Sequence, residues 1–216
     1  IVDSQGNAVF PKRVLQKLDI HYTEEERQIH QALKEFTQLR SDSSSNRFSM
    51  GVMFVNILLK KRLFSSPAAF HITLSKLSDS FQENSTKSDT ERFKRQFAMA
   101  VSRCSDDDIA IQDNADNFVD DEEAIEQNMH DAAILANAQE APLEKQLQSI
   151  LDKLKKSANR NQNAEDSKAK AILTWIDTHL RPQGEWNDER VILFTEYRAT
   201  LNWLVTIFAN HKIRQN

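Results

Sequence analysis

Two short stretches carry residues whose types and spacing could do chemistry. Thr195-Glu196-Tyr197-Arg198 follows the unbroken apolar run Val191-Ile192-Leu193-Phe194 and leads directly into a helical pattern. An unbroken apolar run suits a strand covered on both faces, of the kind found among parallel neighbours. In open α/β sheets, ligands gather at the carboxyl ends of such strands, and backbone amides entering a helix can hold a phosphate. Thr195 would supply a hydroxyl or amide there and Arg198 a cation. The second stretch, Lys60-Lys61-Arg62, closes another apolar segment. Three cations at a helix end complement the helix dipole. The same three could meet a phosphate backbone, because clustered cations release counterions on binding nucleic acid. Thr195, Arg198, Lys60, Lys61 and Arg62 are therefore the candidate nucleic-acid-binding residues, and both readings of the lysine-arginine cluster stay open.

No other arrangement amounts to a catalytic constellation. The chain has no phosphate-binding glycine loop, no H-E-x-x-H pair and no G-x-S-x-G elbow, and three glycines could hardly build the first. Cys104 is the only cysteine, which excludes an internal disulfide and a cysteine-rich metal site and fits a reducing compartment. His21, His30 and His71 lie near apolar runs and read as packed or surface residues. Glu24-Glu25-Glu26 is explained by helix-start electrostatics without invoking general-acid work. The acidic string around Asp113 to Glu123 lacks the central glycine and the spacing of an EF-hand loop. No catalytic residue, metal ligand or cofactor-binding residue is assigned within the chain.

The elements that would position the two stretches are mostly helices. Three glycines and four prolines in 216 residues favour long helices over a turn-rich β fold. Thr23 with Glu26 forms a capping box ahead of a stripe of Ile29, Leu33, Phe36 and Leu39, and Ser41 to Asn46 reads as a loop. The segment from Arg47 to Phe64 is apolar all round and reads as a central packing helix. Ser66 and Pro67 restart the chain as N-cap and first helical residue, ahead of Phe70, Leu74, Leu77 and Phe81. A short helix on Phe93, Phe97 and Val101 is expected next. Asp106 to Glu126 is acidic without a basic residue and reads as a solvated or disordered linker. Beyond Pro142, Leu143, Leu147, Ile150, Leu151 and Leu154 form an amphipathic helix with lysines outward. Asp166 or Ser167 caps a further helix through Ile172, Leu173, Trp175, Ile176 and Leu180, and Leu201, Leu204, Val205 and Phe208 face inward on the last one. Strands are expected in the second half of Val14 to Tyr22 and at Val191 to Phe194. Net charge is −4, so nucleic acid could be met only by a local basic face. No run of 18 apolar residues and no signal-peptide pattern occurs, so the expectation is a soluble cytoplasmic chain without a membrane partner.

Taken together, these blocks resemble a family. Glu189 to Leu204 (ERVILFTEYRATLNWL) resembles the start of the second RecA-like lobe in superfamily-two helicase-like ATPases, with Ile192 to Tyr197 matching the family's fourth conserved motif. Leu58 to Phe70 (LLKKRLFSSPAAF) is similar to the Arg-x-x-Ser-Ser-Pro-Ala-Ala block between the lobes of bacterial Swi/Snf-related members. Those members include the RNA-polymerase-recycling ATPase and the helicase-like protein of DISARM phage defence. The resemblance implies a mainly α fold: an inter-lobe helical region plus edge pieces of two RecA-like α/β lobes. It divides the chain into the end of lobe one (1–22), inter-lobe helices (23–104), an acidic linker or insert (105–141), helices leading into lobe two (142–188) and the start of lobe two (189–216). It further implies a central segment of an ATP-dependent double-stranded-DNA translocase that is not catalytic by itself. ATP and Mg²⁺ would belong to the parent, and duplex DNA would be its partner, with RNA polymerase or phage-defence proteins as further partners. The walls of the nucleotide site would then lie before Ile1 or after Asn216. The alternative is a non-enzymatic helical scaffold or adaptor whose apolar helix Phe48 to Phe64 docks a protein partner.

Overall fold

The computed structural model describes residues 14–43, 50–81, 118–138 and 143–213. These form seven α-helices: α1 (Glu24–Ser43), α2 (Met50–Ser65), α3 (Pro67–Leu77), α4 (Phe118–Ala138), α5 (Lys145–Asn161), α6 (Ser167–His179) and α7 (Arg198–Asn210). The expected short helix at Phe93 to Val101 lies outside the described residues.

Helix starts follow local chemistry. The Glu26 amide donates to Thr23 Oγ1 at 3.2 Å while the Thr23 amide donates to the Glu26 carboxylate at 2.6 Å, which completes the capping box. Ser66 Oγ accepts from the Ala69 amide at 3.1 Å, with Pro67 opening α3. Asp166 accepts from the Ala169 amide at 2.7 Å and starts α6.

One apolar core joins α1 to α5. Leu33 and Phe36 of α1, Val55, Leu58 and Leu59 of α2, Phe70, Leu74 and Leu77 of α3, and Leu147, Leu151 and Leu154 of α5 are all buried in it. Phe81, beyond α3 on a 3-10 turn, sets its ring edge-on to Phe36 at 5.7 Å. A second, smaller core holds Leu173 and Ile176 of α6 against Trp203, Ile207 and Phe208 of α7, and Ala68 of α3 packs on it.

Three expectations need correction. The acidic stretch is not linker throughout, because helix begins at Phe118 and α4 runs on to Ala138. Ala132, Ala133 and Ala136 are buried, and their small side chains let α4 approach α2 closely. A Cβ built on Gly51 would stand 3.0 Å from Ala136 Cβ, so glycine is what permits this approach. Residues 41–43, expected in a loop, belong to α1, where Ser41 Oγ donates back to the Thr37 carbonyl at 2.9 Å. Finally, neither expected strand is present. Residues 14–22 and 191–195 are irregular, with Leu15, Ile192 and Phe194 exposed. A strand needs a neighbour to satisfy its backbone, and among the described residues neither segment has one. The mainly α character stands, and the RecA-like edge pieces do not take strand form.

Helix α7 is also rotated from its expected face. Thr200, Trp203, Ile207 and Phe208 are buried, whereas Leu201 and Val205 are exposed. Its sequence is apolar on more than one side, so periodicity alone does not choose the packed stripe. Among the described residues, no helix is long and apolar enough to cross a membrane.

Candidate functional site

Side chains from several helices gather around one corner, Phe64-Ser65-Ser66-Pro67, where α2 turns into α3. From α7, Thr200 Oγ1 lies 2.6 Å from Ser65 Oγ and 2.9 Å from Ser66 Oγ. From α6, Lys168 Nζ donates to the Ser65 carbonyl at 2.7 Å and also to the Phe64 carbonyl. These are carbonyls at the α2 C-terminus, where a cation is favoured. From α1, the His30 ring packs at a tilt between Tyr22 at 5.0 Å and Phe64 at 4.8 Å. Three helices, α1, α6 and α7, thus close on this corner.

The three cations ending α2 have divided roles. Lys60 and Lys61 are exposed, and Lys61 Nζ pairs with Glu196 at 3.3 Å. A surface pair of this kind is easily exchanged and contributes about 0–1 kcal/mol. Arg62 is fully buried, which decides between its two readings. Its Nη1 donates to Glu126 of α4 at 2.9 Å, and its guanidinium lies over the Tyr197 ring, 3.7 Å from the centroid. Nε and Nη2 have no hydrogen-bond partner among the described residues, so the aromatic face offsets part of their desolvation. In this arrangement Arg62 is a strut joining α2, α4 and the approach to α7, not a surface for phosphate.

Thr195 is half-buried, and its Oγ1 accepts from the Tyr197 amide at 3.5 Å. Arg198 is exposed at the first residue of α7. An open groove of about 370 Å³ runs beside these residues, lined by Ile57, Lys60, Lys61, Phe64, Glu196 and Tyr197. The fold therefore brings the Lys60 to Arg62 cluster beside Glu196 and Tyr197, although the two stretches are about 135 residues apart in sequence.

A more enclosed cleft of about 260 Å³ has Tyr22, Glu26, His30, Asp166 and Lys168 on its walls. Most of its charged groups are already engaged. Burial works to raise Glu26, but hydrogen bonds from Ser167 and Thr23 outweigh it and hold the carboxyl below its usual range. Burial pushes Asp166 up, and burial pulls Lys168 down against the attraction of Asp166. Burial and then the Lys168 charge pull His30 down. Glu25 pairs with Arg160, and the Glu165 carboxylate lies 2.7 Å from His211 Nε2. Mutual satisfaction marks the cleft as a joint between the starts of α1 and α6, since Glu26 also accepts from the Ser167 amide at 2.7 Å.

Sequence reasoning missed Thr200, Glu126 and Lys168 as members of this corner, and it named Ser65 and Tyr197 within their own blocks without bringing them together. Only the co-occurrence of the two motif blocks could have pointed to their meeting. No family model, no curated protein and no solved structure matches the chain.

Proposed function

We propose that this chain forms the mechanical centre of an ATP-dependent double-stranded-DNA translocase of the Swi/Snf type, a helical body that couples two RecA-like lobes. One observation carries the reading. The two sequence blocks that bear the resemblance, Ser65-Ser66-Pro67 and the stretch entering α7, are hydrogen-bonded to each other through Thr200. The segment ahead of α1 reaches the same corner through Tyr22, His30 and Phe64. A body to which both lobes attach at one corner can transmit closure of one lobe to the other.

On this reading, residues 14–22 and 191–195 find strand partners in their respective lobes, which relieves their exposed apolar side chains. Thr195, Arg198, Lys60 and Lys61 border the duplex, while Arg62 braces the joint. Among the described residues no group of three or more His, Cys, Asp or Glu side chains could hold a metal ion, and the chain has no glycine-rich phosphate loop. ATP and Mg²⁺ belong to the parent on this reading, and no step of nucleotide chemistry is assigned to residues of this chain. RNA polymerase and phage-defence proteins are partners of resembling family members, and a cytoplasmic location follows only from the same reading.

The test is ATP hydrolysis by the natural full-length protein with and without duplex DNA, beside Thr195→Val in the same protein. Hydrolysis that rises with duplex is expected, with the rise reduced in Thr195→Val. Silence with every nucleic acid overturns the reading, and an unchanged Thr195→Val removes that residue alone. The bare side of α2, where Met53, Ile57 and Phe64 are each about half exposed, favours the second reading of a scaffold that docks a protein partner. A silent full-length protein would leave that as the better account.

A further inference from the structure

We infer that the outer face of α5, with the groove it forms against α3, is a second binding face for the phosphate backbone of duplex nucleic acid, separate from Lys60 and Lys61. The choice of duplex rests on the proposed function, whereas the cationic track is read from α3 and α5 themselves.

Helix α5 holds Lys145, Lys153, Lys155, Lys156 and Arg160 against one carboxylate, Asp152. Five cations less one anion give +4 on 17 residues, in a chain whose formal net charge is −4. Helix electrostatics does not explain this excess. Lys145 is the first helical residue, where the dipole disfavours a cation, and only Arg160 stands in the last turn. Arg160 is moreover engaged with Glu25. Among the described residues, Lys145, Lys153, Lys155 and Lys156 take part in no ion pair. The buried stripe Leu147, Ile150, Leu151 and Leu154 fixes the orientation of α5, so the lysines cannot turn away.

The surroundings suit an anion. An open groove of about 340 Å³ between α3 and α5 is lined by His71, Leu74, Ser75, Lys155, Lys156 and Asn159. Every polar group in that set can donate a hydrogen bond, and none is a carboxylate. Lys156 also borders the adjoining hollow, which holds Lys145, Lys153 and Asp152. Asp152 there accepts from the Gln148 side-chain amide at 3.3 Å. From Lys145 to Lys156 the helix spans roughly 16 Å. Duplex DNA carries about one charge per 1.7 Å of axis over both strands, so this span runs beside duplex bearing roughly ten phosphate charges, about half of them per strand. A small anion would occupy only one end of such a track, whereas a polymer backbone can follow it.

The experiment is fluorescence anisotropy of a labelled duplex of about 20 base pairs with this 216-residue chain, across a salt series. The quadruple variant Lys145→Gln/Lys153→Gln/Lys155→Gln/Lys156→Gln is compared with a control carrying the same charge change elsewhere, Lys17→Gln/Lys34→Gln/Lys170→Gln/Lys212→Gln. Lys156→Gln alone serves as the mildest change, and far-UV circular dichroism checks that each variant is folded. The α5 variant should bind at least tenfold more weakly. Its plot of log affinity against log salt should be shallower by about 0.9 for each phosphate that the removed lysines had neutralised. The control should stay within about twofold of the starting protein. Equal weakening in the two quadruple variants, or no binding by the starting protein, overturns the inference. If Lys60→Gln/Lys61→Gln binds like the starting protein while the α5 variant fails, the α2 end plays no part in holding the duplex and the α5 track stands.

Discussion

Val55 to Leu59 in α2 and Val191 to Phe194 before α7 are short runs of similar apolar content. Val55, Leu58 and Leu59 are buried at 0–1% exposure, whereas Ile192 and Phe194 are 75% and 93% exposed. A helix closes its own backbone hydrogen bonds, so α2 needs only apolar neighbours, and α1, α3, α4 and α5 provide them. A strand borrows its backbone partners from another strand. Sequence that is apolar enough to be buried therefore stays bare when the element it favours lacks a neighbour. The helical body is self-sufficient in a way that the segments entering and leaving it are not.

The largest effect that could break this comparison is a paired truncation. Leu59→Ala should destabilise the chain by about 2–5 kcal/mol, the transfer and cavity cost of a buried leucine. Phe194→Ser should change stability by no more than about 0.5 kcal/mol despite removing a larger side chain. Urea unfolding of the two variants beside the starting chain measures both. A loss of several kcal/mol at Phe194 would mean that the run is covered after all and that the contrast with α2 is false.

A second effect, smaller but still on the buried side, concerns His130 of α4. Its Nε2 lies 3.0 Å from Thr73 Oγ1, with Lys76 Nζ 3.4 Å from Nδ1. Burial first, and then the charges of Lys76 and Arg62, push it down from 6.5 to about 4. The folded value lies below the unfolded one, so the stability tied to neutral His130 is full above about 6.5 and is lost as pH falls toward 4. The loss should be on the order of 3 kcal/mol, since each pKa unit corresponds to about 1.4 kcal/mol. His130→Gln should flatten the stability profile between those limits. An unchanged slope in the variant would show that another group carries the acid sensitivity.

Much of this architecture is legible in the residues, and what is hidden has physical reasons. Thr23, Ser66 and Asp166 declare their helix starts because a cap is local chemistry. The leucines of α5 declare their buried stripe because their period is local as well. Helix α4 is obscured by the acidic residues at its start, since charge density there resembles a solvated linker and its buried face is alanines with His130 and Asn137 and has no large apolar stripe. Arg40 illustrates a different limit. It is buried under a network with Asn56 and Asn137 and lies 5.1 Å from the Phe81 ring centroid, and nothing in its neighbours' sequence sets it apart from a surface arginine. Thr200 is invisible for the same reason, because its partners precede it by more than 130 residues.

The finest test addresses how the small α6–α7 core is attached to the large one. Thr200 Oγ1 sits between two serine hydroxyls, and a hydroxyl can donate once and accept twice. Ser66 Oγ already accepts from the Ala69 amide, so the simplest pattern has Ser66 donating to Thr200 and Thr200 donating to Ser65. Thr200→Val keeps the shape and removes both bonds, leaving the buried Ser66 hydroxyl without its acceptor; about 1 kcal/mol is expected. Ser66→Ala removes the cap as well, again at about 1 kcal/mol. If the corner joins the two cores through these bonds, the double variant should cost less than the two single changes added, by about 0.5 kcal/mol or more. Strict additivity would mean that the hydroxyl bonds do not couple the two cores, leaving Ala68 packing and the Arg62–Tyr197 contact to seat α7, and the comparison would then shift. The corner would then be joined by packing, and a rotation of α7 about α3 would meet no resistance from the serines.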